Sequence, residues 1–328
     1  MKKHIFKPGE CMAWRNRVIP SSDDDQMSGH TFGGGWTEDK LDCLGKYLAE
    51  YRKIFVKNER ARYFKTWYVD AFAGTGSRSV PDPSTHVEPL FDGDYEDPES
   101  QRYRDGSAII ALGLESPFDK YLFIEKSKVR LNELKGEIRK RYSELLGRCE
   151  FSSEDANKAL RDWSARRDWE KERAVVFLDP YGMQVEWETL TTLAATKAID
   201  LWYLFPLGIG VARLLTRDGI IDEDWQKRLD LVFGTNEWRN RFYETRIKSS
   251  LFGNEETMVR AAGEEKIQEY IEERLGTCFA KVAKGLVLRN SRSSPLYLLC
   301  FAAANERSAH TALKIAQWIL GHSKGTRR

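Results

Sequence analysis

The sequence predicts an α/β fold: a doubly wound, mostly parallel sheet with an antiparallel C-terminal edge pair and a helical insertion. Three observations predict it. Strand-like runs of β-branched and aromatic residues alternate with helical periodicities from Trp36 to Leu207. Four of those runs close on or just before an acid. Near the C-terminus two further strand-like runs follow each other across a short turn, as an antiparallel pair does.

Residues 1–35 carry "SSDDD" and "FGGGW" without periodicity and read as a flexible arm. Thr37 is placed to cap a helix whose first turn holds Glu38 and Asp39, where the helix dipole favours acids. Leu41, Leu44, Tyr47, Leu48 and Tyr51 carry that helix to about Phe55. "TWYVDAF" follows as a buried strand, then a polar insertion with "PDPSTHVEP", then a helix around Ala108 to Leu114. "KYLFIEKS" is a second strand, leading into a charged helical pattern through about Leu146. "EFSSEDANKAL" gives a short strand, a turn at Asp155 and a helix. "RAVVFLDPYG" is the strongest strand, and a helix from about Glu186 to Thr196 leads into the strand "AIDLWYLFPLG". Residues 208–276 lose the strand signal and read as a helical insertion on a core formed by 36–207 and 277–322. "AKVAKGLVLRN" and "PLYLLCFAAAN" are the edge pair, a helix spans Glu306 to Leu320, and 323–328 form a basic tail.

Composition narrows the function. In 328 residues with 41% hydrophobic content, no run approaches the roughly 18 to 20 apolar residues of a membrane span. The charged N-terminus is no secretory signal, so a cytoplasmic protein is expected. Five cysteines lie far apart without a C-x-x-C pair, which argues for reduced thiols rather than a zinc knuckle or disulfides. The net charge of +2 hides a basic flank after Gly276, suited to holding phosphates or merely solvated.

Open α/β sheets bind ligands beyond the carboxyl ends of their strands. Here those ends carry Asp70, Glu125, Asp155 and Asp179. After the first, "YVDAFAGTGSR" breaks into a turn at Gly74 and Gly76, where only glycine lets a ligand approach the backbone closely. A nicotinamide dinucleotide would want a third glycine, but Ser79 stands there, and no G-K-[ST] follows for a P-loop. A carboxylate at Glu125 can accept from two vicinal hydroxyls, and Asp155 can accept from an exocyclic amine or cap its own helix. "LDPYG", Leu178 to Gly182, offers acceptors at Asp179 and the Pro180 carbonyl with Tyr181 as a stacking face, or else a type I turn.

These residues resemble motif I of class I S-adenosylmethionine-dependent methyltransferases, which have a Rossmann-like sheet. The resemblance implies that Asp70 contacts the methionine end of the cofactor and that Phe72, Ala73, Gly74 and Gly76 line it. It implies that Glu125 takes the ribose hydroxyls and Asp155 the adenine. "DPYG" resembles the D-P-P-[YF] motif of adenine-N6 and cytosine-N4 methyltransferases with one proline missing, and D-P-[FY]-G is closer to guanine-N2 enzymes of transfer RNA. On that resemblance Asp179, Pro180 and Tyr181 are catalytic and Gly182 lies on the substrate, a base of DNA or RNA. A carbon-5 pyrimidine enzyme would need a nucleophilic cysteine after proline, and no Pro-Cys occurs. No metal is called for.

Over most of its length the chain also resembles the three-Cys-motif partner proteins of bacteria, through "GGGWTEDKLDCLGKYLAEY", "YVDAFAGTG", "FLDPYG" and "LYLLCFAAANERSAHTALKIAQWIL". That likeness implies a methyltransferase-like protein found beside a partner with a cysteine cluster. Further candidates have two readings each. His30, Phe32 and Trp36 form a lid or an ordinary loop; Trp202 and Tyr203 line a base pocket or pack the core; Arg213 and Arg217 hold substrate phosphates or face solvent. The alternative function is a non-catalytic scaffold or regulatory partner built on the same fold.

Overall fold

The computed structural model describes residues 35–76, 106–250 and 253–323. The N-terminal arm with His30 and Phe32, the polar insertion after Gly76, and most of the basic tail lie outside the described residues. Helix α1 spans Gly35–Lys57. Thr37 therefore lies inside the helix rather than capping it, and the helix continues past Phe55 to Lys57.

Strand β1 is Lys65–Asp70, followed by α2 at Ser107–Leu112. The alternation then runs β2 (Lys120–Ile124), α3 (Lys128–Arg141), β3 (Cys149–Ser152), α4 (Ala156–Ala165), β4 (Glu172–Leu178), α5 (Trp187–Ala195) and β5 (Ile199–Phe205). A short π-helical turn at Leu207–Val211 passes into α6 (Ala212–Leu214), then α7 (Glu223–Phe233), α8 (Trp238–Phe242), β6 (Tyr243–Ser250), β7 (Gly253–Arg260) and α9 (Glu264–Gly276). The chain closes with β8 (Lys281–Val282), β9 (Leu286–Arg289), β10 (Pro295–Ala303) and α10 (Ala309–Gly321).

The main sheet has the order β3-β2-β1-β4-β5-β10-β8, with β9 also pairing β10. Its first five strands are parallel, and β10 pairs antiparallel with β5, β8 and β9. This is the doubly wound order 3-2-1-4-5 of α/β nucleotide-binding folds continued by antiparallel strands. The expected edge pair differs in one respect. β10 is interior, and the first of the two runs breaks into β8 and β9 around Gly285, whose Cβ would crowd Leu298 and the Leu299 carbonyl.

Because side chains alternate across a strand, both faces of the sheet are buried. Tyr68, Phe123, Phe177, Trp202 and Phe301 face a core shared with α1, α2, α3 and α10. Trp67, Val69, Val176 and Leu201 face one shared with α4, α5, α7 and α9. Residues 208–276 thus complete the second face, anchored where Arg274 lies over Trp187 and donates to the Phe233 carbonyl. They are not wholly helical as the sequence reading expects: β6 and β7 form an antiparallel ribbon. Its strands, "YETRIKSS" and "GNEETMVR", are polar on both sides, with Ile247 and Met258 exposed, so no apolar alternation marks them.

No described helix is long and apolar enough to cross a membrane. Cys43 and Cys300 are buried thiols, whereas Cys149 and Cys278 are only half-buried; all four are free.

Candidate functional site

Strand register builds the site. Asp70 lies opposite Phe123 on β2 and Phe177 on β4, so Glu125 and Asp179 each stand two residues further toward the carboxyl edge. At about 3.3 Å per residue that is roughly 7 Å of height. Asp70 accordingly sits at the floor, wholly buried, while Glu125 and Asp179 stand at the rim.

The floor carboxylate organises the turn. Asp70 Oδ2 accepts from the Tyr68 hydroxyl at 3.2 Å and from the Ser107 hydroxyl of α2, and Oδ1 accepts from the Phe72 amide at 3.3 Å. Burial pushes its carboxyl up to about 7, with the charge of Asp179 adding to the rise and the Ser107 bond opposing it. With these three donors Asp70 holds the turn from beneath.

Above it, Gly74 has φ +58° and Gly76 φ +76°, conformations that other residues rarely take. Among the described residues a Cβ on Gly74 would meet nothing within 4 Å, whereas one on Gly76 would overlap Leu134 Cδ1. Gly74 thus borders space that no described residue fills, and Gly76 is packed against α3. Phe72 is half-buried and Ala73 buried, its amide donating to the Ile124 carbonyl at 3.0 Å. Glu125, also buried, ties this turn to the next strand end: Oε2 accepts from the Gly74 amide at 3.1 Å and Oε1 from the Ser127 amide at 2.8 Å. Each oxygen keeps a lone pair for a further donor.

Asp155 is exposed and caps α4, its Oδ1 accepting from the Asn157 and Lys158 amides at 2.9 and 3.2 Å. Only its second oxygen is left for a ligand. Along the rim, Tyr181 is 49% exposed, with the Arg130 guanidinium 5.9 Å from its ring centroid. Gly182 has φ +77° and open space about it. Asp179 Oδ2 accepts from Lys40 Nζ at 2.6 Å.

Other expectations separate here. Trp202 is wholly buried, 5.4 Å from Tyr47 and 5.2 Å from Phe301 by ring centroids, and Tyr203 is buried on the opposite face. Both pack the core, which corrects the base-pocket reading. Trp36 is buried against Tyr297 at 5.1 Å and is not a free lid. Arg213 and Arg217 are exposed beyond the carboxyl end of β5. Among the described residues no group of three or more His, Cys, Asp or Glu could hold a metal ion.

No protein-family model matches the chain, and no curated protein matches it. Solved structures resemble it at low identity. A Legionella pneumophila protein of the DUF519 family is 10% identical, with 90% of this chain and 95% of that one covered at a TM-score of 0.45. A methyltransferase from Geobacter sulfurreducens is 15% identical over 66% of this chain and 78% of that one, at 0.28. The glycopeptide N-methyltransferase MtfA, complexed with S-adenosyl-L-homocysteine, is 8% identical over 85% and 93%, at 0.33. The fold assignment rests on strand order and register.

Sequence reasoning misses Lys40, Tyr68 and Ser107. For Lys40 a signal exists: Trp36, Lys40, Leu44 and Leu48 follow one another at i+4, so a cation interrupts the apolar stripe of α1. Tyr68 and Ser107 lie on a strand and on a helix beyond a long insertion, and only the fold brings them to Asp70.

Proposed function

We propose that this chain is an S-adenosylmethionine-dependent methyltransferase acting on an exocyclic amino group of a base in nucleic acid. The observation that carries this reading is that the glycine turn held by Glu125 and the Asp179-Pro180-Tyr181 segment emerge from adjacent strands at one carboxyl edge. The residues fit the cofactor where it can be tested: Gly74 borders space that no described residue fills, and the Glu125 oxygens retain capacity for ribose hydroxyls. Phe72, Ala73, Gly74 and Gly76 would line it, Glu125 the ribose and the second oxygen of Asp155 the adenine.

When bound, the cofactor supplies an electrophilic methyl group on a sulfonium. Asp179 Oδ1 and the Pro180 carbonyl accept the N–H bonds of the acceptor amine and aim its lone pair, while Tyr181 offers an exposed stacking face. Lys126, Lys128 and Arg130 follow Glu125 directly and, with Gly182 and Arg213, suit phosphates or sugar of a polynucleotide. The resemblance to three-Cys-motif partner proteins supports a cytoplasmic protein that works beside a cysteine-cluster partner.

Isothermal titration with S-adenosylmethionine and S-adenosylhomocysteine tests the cofactor. Radiolabelled methyl transfer to DNA, transfer RNA and ribosomal RNA tests the acceptor. Absence of binding by the wild type would sink the reading. A scaffold role is favoured by one observation: Lys40 already occupies Asp179 Oδ2. A stoichiometric cysteine-cluster partner co-purifying with a chain that transfers no methyl group would establish that role instead.

A further inference from the structure

Lys40 is buried, with 3% of its side chain exposed, its Nζ 2.6 Å from Asp179 Oδ2 and 5.3 Å from the Trp36 ring centroid. Burying an ammonium costs several kcal/mol unless its partner geometry is good, and a hydrophobic residue here would extend the stripe of α1 without that cost. The contact joins residues 139 positions apart, linking a helix to the strand-end motif rather than decorating a helix surface. The titratable groups facing Asp179 are Lys40 from α1, and Asp70 and Tyr68 from β1. Asp179 thus has a cation within hydrogen-bond reach and a second carboxylate, Asp70, on the adjacent strand.

We propose that Lys40 is a positioning residue for the Asp179-Pro180-Tyr181 motif: its ammonium fixes Oδ2 and leaves Oδ1 to accept the acceptor's N–H. The inference rests on the methyltransferase reading above. An un-anchored carboxylate rotates about χ2 and presents its acceptor over a broad range of directions.

The test compares wild type with Lys40→Met, which keeps the stem but removes the charge, and Lys40→Arg, which keeps a cation. The measurements are the urea midpoint, S-adenosylmethionine affinity by titration calorimetry, and labelled methyl transfer to a mixed pool of DNA, transfer RNA and ribosomal RNA across pH 5–9. Lys40→Met is expected to stay folded with a lowered urea midpoint, keep cofactor affinity within about threefold, and lose at least tenfold in transfer at neutral pH. The loss should fall on kcat, with KM for the nucleic acid kept within about threefold, and Lys40→Arg should recover part of it. A merely structural lysine would lower the urea midpoint without that split. Should Lys40→Met fail to fold, Lys40→Gln takes its place. Unchanged transfer in the neutral variant overturns the role of Lys40 alone. A wild type that neither binds the cofactor nor transfers methyl overturns the reading beneath it.

Discussion

Gly74 and Gly76 make the same sequence signal but stand in different surroundings, and alanine at each should separate them. Both have positive φ, where a Cβ costs roughly 1–2 kcal/mol. Alanine also restricts the unfolded chain, which offsets about 0.4–1 kcal/mol. At Gly74 nothing else is added, since a Cβ there meets no atom of a described residue within 4 Å. At Gly76 the new methyl overlaps the Cδ1 of Leu134, which is wholly buried and must shift, so overpacking of about 1–3 kcal/mol is added. Gly74→Ala should therefore cost about 1 kcal/mol and Gly76→Ala about 2–4 kcal/mol. With a urea slope of about 3 kcal/mol per molar, the midpoints fall by roughly 0.3 M and 1 M respectively. Cofactor affinity should order them the other way per unit of stability lost, because the Gly74 methyl enters the space assigned to the ligand. Equal midpoint shifts, or an unaltered affinity in Gly74→Ala, would refute the assignment of one glycine to packing and the other to the ligand.

Three other perturbations address the acids. Asp70 has its carboxyl raised to about 7 by burial, so wild-type stability attributable to it is full below about pH 4 and lost as pH rises to about 7. Asp70→Asn should gain on wild type across that window and run parallel above it, measured by urea unfolding at stepped pH; a gap independent of pH would contradict the burial argument. Asp155→Ala should cost about 1 kcal/mol through loss of the α4 cap. A further drop in cofactor affinity beyond tenfold would assign Asp155 to adenine, and none would leave it a cap only. Asp200, buried and raised to about 6 chiefly by desolvation, accepts from the Tyr47 hydroxyl at 2.7 Å, a bond that opposes the rise. Tyr47→Phe should destabilise by about 1–3 kcal/mol, with the loss deepening as pH rises past 6; stability-versus-pH curves that superimpose would sink the prediction.

The parts of the fold legible in the sequence are those whose signal is local. "RAVVFLDPYG" and "KYLFIEKS" announce strands because both faces of a parallel sheet are buried, so their central positions are all apolar and the acid follows directly at the carboxyl end. The ribbon at 243–260 is missed because its sequence carries no apolar alternation, with 244–247 exposed one after another. Trp202 illustrates a second limit. An aromatic one strand beyond the acid row is compatible with a base pocket until register places it opposite Phe301 in the core.

The row of acids itself was legible as four residues at four strand ends, but not as a structure with depth. Height along a strand depends on where pairing begins, and pairing is set by partners far away in sequence. Register lowers Asp70 by two residues relative to Glu125 and Asp179, which turns one carboxylate into a floor that binds hydroxyls and an amide while the other two stay at the rim. Burying one carboxylate beside another calls for a cation, and the nearest helix face supplies Lys40. The departure of α1 from a perfect apolar stripe and the placement of Asp70 beneath the glycine turn are thus one electrostatic arrangement. Lys40→Met and Asp70→Asn should accordingly be non-additive in urea midpoint by more than the roughly 0.5 kcal/mol seen for independent sites. Simple additivity would show that the floor and the rim are separate after all.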